Sequence, residues 1–230
     1  MNRVLAQLST PVFERLRPQL EPIELPLGTR IYEPGSSEDG LYFVSAGIAS
    51  LLKVTESGSS VEIAIVGNEG VVGMEAFTGG MVAGWRVVTQ SALRAFRLDA
   101  DALQRELAAD RELEQHLLRF AEALMHQISQ TALCNRHHSI EQQFCRWLLA
   151  SLDRLGTREL VMTHALIANM LGVRREGVST AAAKLQQDSI IRYTHGRITV
   201  LERDALESRA CECYAAVKAA YRQVLDRVVV

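Results

Sequence analysis

THALIANMLGVRREGVSTAAAKLQQ, residues 163–187, decides how the rest of the chain is read. Ile167 and Leu171 stand four apart and share one face of a helix; Val178, Ala181 and Leu185 do the same for a second. Gly172 lies where the chain must turn sharply, which a residue without a Cβ does at no steric cost. Thr163 can cap the first helix by accepting a backbone N–H, and Ala168 is small where the helices approach. The second helix opens with Arg174, Arg175 and Glu176, and its outer face continues through Ser179, Thr180 and Lys184. Two short helices about a tight turn, with guanidinium groups at the tip of the second, suit a DNA major groove. The plainer alternative is a helical hairpin whose arginine end is merely solvated. The next residues favour DNA. Ile190–Tyr193 and Arg197–Val200 are β-rich runs around His195-Gly196, which read as a hairpin and predict a winged helix-turn-helix.

The formal charge of -2 over 230 residues hides an asymmetry. Residues 1–133 hold 11 Lys and Arg against 17 Asp and Glu, whereas residues 134–230 hold 14 against 10. The basic half carries the helix pair, and phosphate binding needs local rather than global positive charge. No apolar run approaches the ~20 residues of a membrane span, so no membrane partner is expected. The opening MNRVLAQLSTPVFERLRPQL is amphipathic, broken by prolines and partly acidic, unlike a signal peptide. Cys134, Cys145, Cys211 and Cys213 suit no disulfide framework, and a reducing cytoplasm is expected.

Residues 4–19 read as a short amphipathic helix. From Ile23 to Leu98, runs such as LYFV, IASLLKV, VEIAIV, WRVVTQ and ALRAFRL alternate with glycine-bearing turns, among them Glu38-Asp39-Gly40 and Gly79-Gly80. Many short strands argue for a sandwich or roll. Residues 99–108 form a short helix, and Asp110–Asn135 one long helix. Its ridge Leu113, Leu117, Phe120, Leu124 and Ile128 makes a near-heptad seam, predicted to zip to a twin and place two recognition helices one DNA turn apart. The alternative is a helix packed on its own roll. Ser139–Leu155 is a further helix with Phe144, Trp147, Leu148 and Leu152 as core, and Asp204–Val228 reads as one terminal helix. The expected fold is α+β. It comprises a jelly-roll-like β-sandwich or double-stranded β-roll (1–109), a dimerisation helix (110–135), a winged helix-turn-helix (136–203) and a helical extension (204–230).

Residues 1–115 contain no histidine and residues 1–133 no cysteine. A cupin-type metalloenzyme, a haem held by a roll histidine and an N-terminal iron–sulfur cluster therefore all lack ligands. Cys211 and Cys213 could pair as thiols or join a histidine on a metal. Two apart on one helix they point to different faces, so no metal site is expected. His137-His138 reads as polar surface at a hinge, and Glu106, Glu112 and Glu114 as a solvated face. No nucleophile elbow, Walker loop or paired-carboxylate arrangement is present, so no enzyme is expected.

GTRIYEPGSSEDGLYFVSAGIASLL, residues 28–52, resembles the opening of a cyclic-nucleotide-binding β-roll. MLGVRREGVSTAAAKLQQDSII, residues 170–191, with its wing resembles the DNA-binding domain of the cyclic-AMP receptor protein/fumarate-nitrate regulator (CRP/FNR) family. The resemblance covers about residues 10–203 and leaves out the tail with Cys211-Glu212-Cys213-Tyr214. It implies a homodimeric transcription regulator reading a near-palindromic site in double-stranded DNA, with a small-molecule effector in the roll and RNA polymerase as partner if it activates. Arg175 and Glu176 match the family's base-reading Arg-Glu pair, and Thr180 replaces a later arginine. Arg175 would take guanine O6/N7 and Glu176 cytosine N4. Arg174, Ser179 and Lys184 fall to phosphates. The family's pocket, in which backbone amides and an arginine hold a phosphate and a glutamate takes a ribose hydroxyl, maps onto Gly73, Glu75 and Arg86. The glutamate is one residue late and Arg86 lacks the small hydroxyl neighbour, so cyclic AMP is not the expected effector. Trp85 beside Gly79–Gly84 could line an altered pocket. The rival reading is a small-molecule-binding module whose helical half docks protein.

Overall fold

The computed structural model describes residues 1–36, 40–77 and 84–225. The chain opens with α1 (Arg3–Ala6) and α2 (Thr10–Leu16), then runs through β1 (Glu21–Leu25), β2 (Arg30–Tyr32), β3 (Gly40–Ala46), β4 (Ala49–Val54), β5 (Ser60–Val66) and β6 (Val71–Val72). After α3 (Met74–Phe77) come β7 (Arg86–Thr89) and β8 (Leu93–Asp99). The helical half holds α4 (Ala100–Ala109), α5 (Glu112–His137), α6 (Ile140–Leu155), β9 (Glu159–Val161), α7 (His164–Leu171), α8 (Arg175–Gln187), β10 (Ile191–Thr194), β11 (Arg197–Val200), α9 (Arg203–Arg209) and α10 (Cys213–Leu225). The single helix predicted over residues 4–19 is instead two. Asn2 caps α1 by accepting from Val4 and Leu5, and Pro11, which lacks an N–H, sits in the first turn of α2.

The strands form two four-stranded antiparallel sheets, ordered β1-β8-β3-β6 and β2-β7-β4-β5. Leu41, Phe43, Leu51, Val66, Val87, Leu93 and Leu98 fill the space between them. A double-stranded roll with α-helical segments, a long helix and a winged helix-turn-helix is the α+β architecture expected. The predicted turns Glu38-Asp39-Gly40 and Gly79-Gly80 fall wholly or partly outside the described residues.

α5 corrects the predicted dimer seam. Leu113, Leu117 and Phe120 have no exposed surface and Leu124 only 5%, because this ridge closes the roll's own core. A Cβ on Gly70 would collide with the Phe120 ring, so glycine is required where the roll meets the helix. Only Ile128 of the predicted seam stays partly exposed. The uncovered apolar residues of α5 are Leu118, Met125 and Leu133. Leu118, Ala121, Met125, Ile128 and Ala132 follow in alternating steps of three and four, a second ridge about a quarter-turn round the helix that shares Ile128 with the first. Glu106 is also not solvated: it is buried and receives Arg15 Nη2 at 2.7 Å.

Ser139 opens α6 with a capping box to Gln142. The helical half then docks on the roll through named contacts. Trp147 Nε1 donates to Glu62 Oε1 (2.9 Å), Ser60 Oγ donates to Asn169 Oδ1 (3.2 Å), and Arg154 pairs with Glu69 at 2.6 Å. A Cβ on Gly172 would stand 3.0 Å from Val61 Cγ2. The predicted terminal helix breaks after Arg209, where Ala210 is extended (φ −74°, ψ 157°). Cys211 therefore lies in a connection, not on a helix, and turns toward Cys134 on α5. α10 continues back along α5, with Tyr221 beside Phe120.

Candidate nucleic-acid interface and effector pocket

The helix pair is built as its residues require. The Thr163 hydroxyl accepts from Leu166 N–H at the start of α7, and Gly172 ends it in the left-handed region at φ 65°. Val178, Ala181, Ala182 and Leu185 of α8 are buried with Ile167, Ala168 and Leu171 of α7 and with Trp147. That fixes which side of α8 faces outward. Arg174, Arg175, Glu176, Thr180 and Lys184 are exposed on it. Among the described residues, the side chains of Arg174, Arg175 and Glu176 make no hydrogen bond or ion pair. Two guanidinium groups thus stand at the positive end of a helix dipole, available to an anion or a base edge.

The other predicted contacts are differently placed. Thr180 stays exposed while its hydroxyl donates to Glu176 O at 2.9 Å. Ser179 is turned inward, its Oγ 3.0 Å from His164 Nδ1, and the His164 ring stacks on Tyr193 of the wing at 4.1 Å between centroids. Burial, and then the nearby Arg175, lower the His164 pKa and favour the neutral imidazole. Ser179 therefore ties α8 to α7 and the wing instead of pointing outward. Lys184 Nζ pairs with Glu141 of α6 at 2.7 Å, and Glu141 also receives Arg209.

In the roll, Gly73 adopts φ 92° and its N–H donates to the Tyr32 hydroxyl at 3.2 Å. Glu75 is buried on α3. Arg86 is held on β7 by Glu33, Nε to Oε2 at 2.8 Å, and this guanidinium keeps the Glu33 carboxyl below the usual range. The three residues matched to a phosphate-and-ribose pocket therefore have an amide committed to a tyrosine and an arginine committed to a carboxylate. Trp85 Nε1 is buried without a partner among the described residues.

A feature the sequence did not announce lies where the roll meets the helical half. A cavity of about 300 Å³ is bounded by β5, α5, α6 and α10, with Glu62, Arg146, Arg154, Lys218 and Tyr221 on its walls. Glu62 is buried, and this burial pushes its pKa up to about 7 despite hydrogen bonds from Ser50 and Trp147. The one cue was a carboxylate inside the apolar run VEIAIV.

Two family models match the chain: a cyclic nucleotide-binding domain over residues 22–110 and a Crp-like helix-turn-helix domain over residues 142–209. A curated relative, the CRP-like cAMP-activated global transcriptional regulator of Mycobacterium tuberculosis, is 25% identical over 226 residues, covering 91% of this chain and all of the relative. Among solved structures, FixK2 from Bradyrhizobium japonicum superposes with a TM-score of 0.72 at 17% identity, covering 84% of this chain and 98% of the other. A CRP/FNR-family transcriptional regulator from Thermus thermophilus gives 0.68 at 22% identity, covering 83% and 98%. At these identities the two structures speak for the fold alone.

Proposed function

The chain belongs to the CRP/FNR family of transcription regulators, and from that premise we propose that it works as a homodimer presenting two α8 helices to successive major grooves of a near-palindromic site. The observation that carries this reading is the tip of α8: Arg174, Arg175 and Glu176 exposed and uncommitted, above a face buried by Val178, Ala181, Ala182 and Leu185. Arg175 reads guanine and Glu176 cytosine. Thr180 leaves the third base position to a weaker contact, and Arg174 holds a phosphate. Lys184 reaches a phosphate only by leaving Glu141, and Ser179 acts by bracing the helix. The homodimer forms along Leu118, Ala121, Met125 and Ala132 of α5, which its own roll leaves exposed or half-exposed, with Ile128 at the edge of the roll's core.

A small molecule biases the packing of the roll on the helical half, and that packing sets the spacing of the recognition helices. The Arg86–Glu33 ion pair and the Gly73–Tyr32 hydrogen bond support an effector other than cyclic AMP. RNA polymerase is the further partner of an activating form.

The test is selection of a duplex from a random pool by the full-length wild-type protein, then titration of that duplex with wild type and Arg175→Ala. Losing one guanine contact costs about 1–3 kcal/mol per half-site and relaxes preference at that base. Equal and purely nonspecific binding by both proteins would favour a helical half that docks protein.

A further inference from the structure

We propose that Cys134, His138, Cys211 and Cys213 form a zinc site that clamps the end of α5 to the segment between α9 and α10. The four ligand atoms all lie within 4.8 Å of one another. Cys134 Sγ is 3.6 Å from Cys211 Sγ, and Cys213 Sγ is 3.4 Å from His138 Nδ1. Tetrahedral zinc with Zn–S near 2.3 Å and Zn–N near 2.0–2.1 Å requires about 3.8 Å between sulfurs and about 3.6 Å from sulfur to nitrogen. The Cys134–Cys211 and Cys213–His138 spacings thus match one four-coordinate ion, and the full set lies close enough to close around it. A multi-iron cluster needs its thiolates spread around a larger core.

The surroundings are those of a metal site too. His138 Nε2 lies 3.2 Å from Glu212 Oε1, which holds the proton on Nε2 and leaves the Nδ1 lone pair facing the sulfurs. Gln130 Nε2 donates to Cys213 Sγ at 3.1 Å and holds that sulfur in place at the site. Arg146 lies beside Cys134 and offsets the net negative charge of three thiolates and one imidazole around a divalent ion. The three cysteines form their own buried cluster, apart from both main cores, while Glu212 is 73% exposed and marks the route in. Three thiolates and one imidazole filling all four positions suit structural zinc.

The ligands converge because the chain is not helical at Cys211. Cys134 and His138 are one turn apart at the end of α5, and the extended Ala210 brings Cys211 and Cys213 to them from the other side. His138 also immediately precedes Ser139, which caps α6, so an ion here fixes the hinge between the long helix and the helical half.

The full-length protein, purified under reducing conditions without an immobilised-metal step, is assayed for metals, stripped with a chelator, and titrated with zinc and with cobalt. One equivalent of zinc per chain is expected. The cobalt form should show the sulfur-to-metal charge-transfer bands and intense visible bands of a tetrahedral thiolate site. Cys134→Ser and Cys213→Ser should lose the metal, whereas Cys145→Ser, a buried thiol outside the cluster, should keep it. Glu212→Gln should retain the site with affinity lower by about 10–100-fold. Should a cysteine variant fail to fold, the wild-type cobalt spectrum decides alone. A folded wild-type chain that binds neither ion, a Cys134–Cys211 disulfide in place of metal, or an iron–sulfur chromophore would each overturn the proposal.

Discussion

Replacing Glu62 by Gln should make the protein more stable at pH 8 and leave it unchanged near pH 4.5. Glu62 is enclosed between β4, β5 and α6, and its pKa stands at about 7 against 4.5 for a free side chain. A carboxyl whose folded pKa is raised binds its proton more tightly folded than unfolded. Ionisation therefore opposes folding: the penalty is absent below pH 4.5, grows up to about pH 7 and is constant above. At ~1.36 kcal/mol per unit the full penalty is about 3 kcal/mol, or ~6–12 °C in midpoint for a chain of this size. Glutamine keeps the shape. Its Oε1 can accept from Trp147 Nε1, its Nε2 can donate to Ser50 Oγ, and the Ser50 hydroxyl already has Gln90 Oε1 as an acceptor at 3.2 Å. Urea titrations read by tryptophan fluorescence at several pH values would give the difference between variant and wild type. A gap that opens between pH 4.5 and 7 is expected. A gap constant with pH, or a variant weaker at pH 8, would refute the argument.

The two sides of α5 should respond oppositely. Met125→Glu should leave the protomer folded but shift sedimentation to the monomer, whereas Leu117→Ala should cost about 2–5 kcal/mol of stability by opening a cavity under the roll. Arg154→Met should cost about 3–5 kcal/mol by leaving the Glu69 carboxylate buried without its ion-pair partner, and adding Glu69→Met should restore only part of it in denaturant titrations, because Gly67 N–H and Gln127 Oε1 then lose their partners.

The helix-turn-helix was legible because every local signal agreed: the Thr163 cap, the four-residue spacing of Ile167 and Leu171, and the left-handed Gly172. The wing was legible for the same reason. His195 and Gly196 both take positive φ, as a two-residue hairpin turn of this hand demands. The long helix was found, but the ridge read as a dimer seam packs on its own roll. Apolar residues line both faces, and periodicity says that a ridge is buried without saying whether a roll or a twin buries it. The Cys211–Cys213 convergence was hidden because the break at Ala210 carries neither glycine nor proline. In the interface itself, Arg174, Arg175, Glu176 and Thr180 stand outward as read. Ser179 is captured by His164, a pairing across fifteen residues that no local pattern encodes.

Because α5 carries one message inward and another outward, its length cannot drift. One residue inserted after Phe120 would rotate everything beyond it by about 100°, swinging Met125 out of the outward line. Seven residues would restore the angle to within ~20° but carry the reading heads ~10 Å farther along the axis. Insertions in this helix are thus restricted to coarse steps.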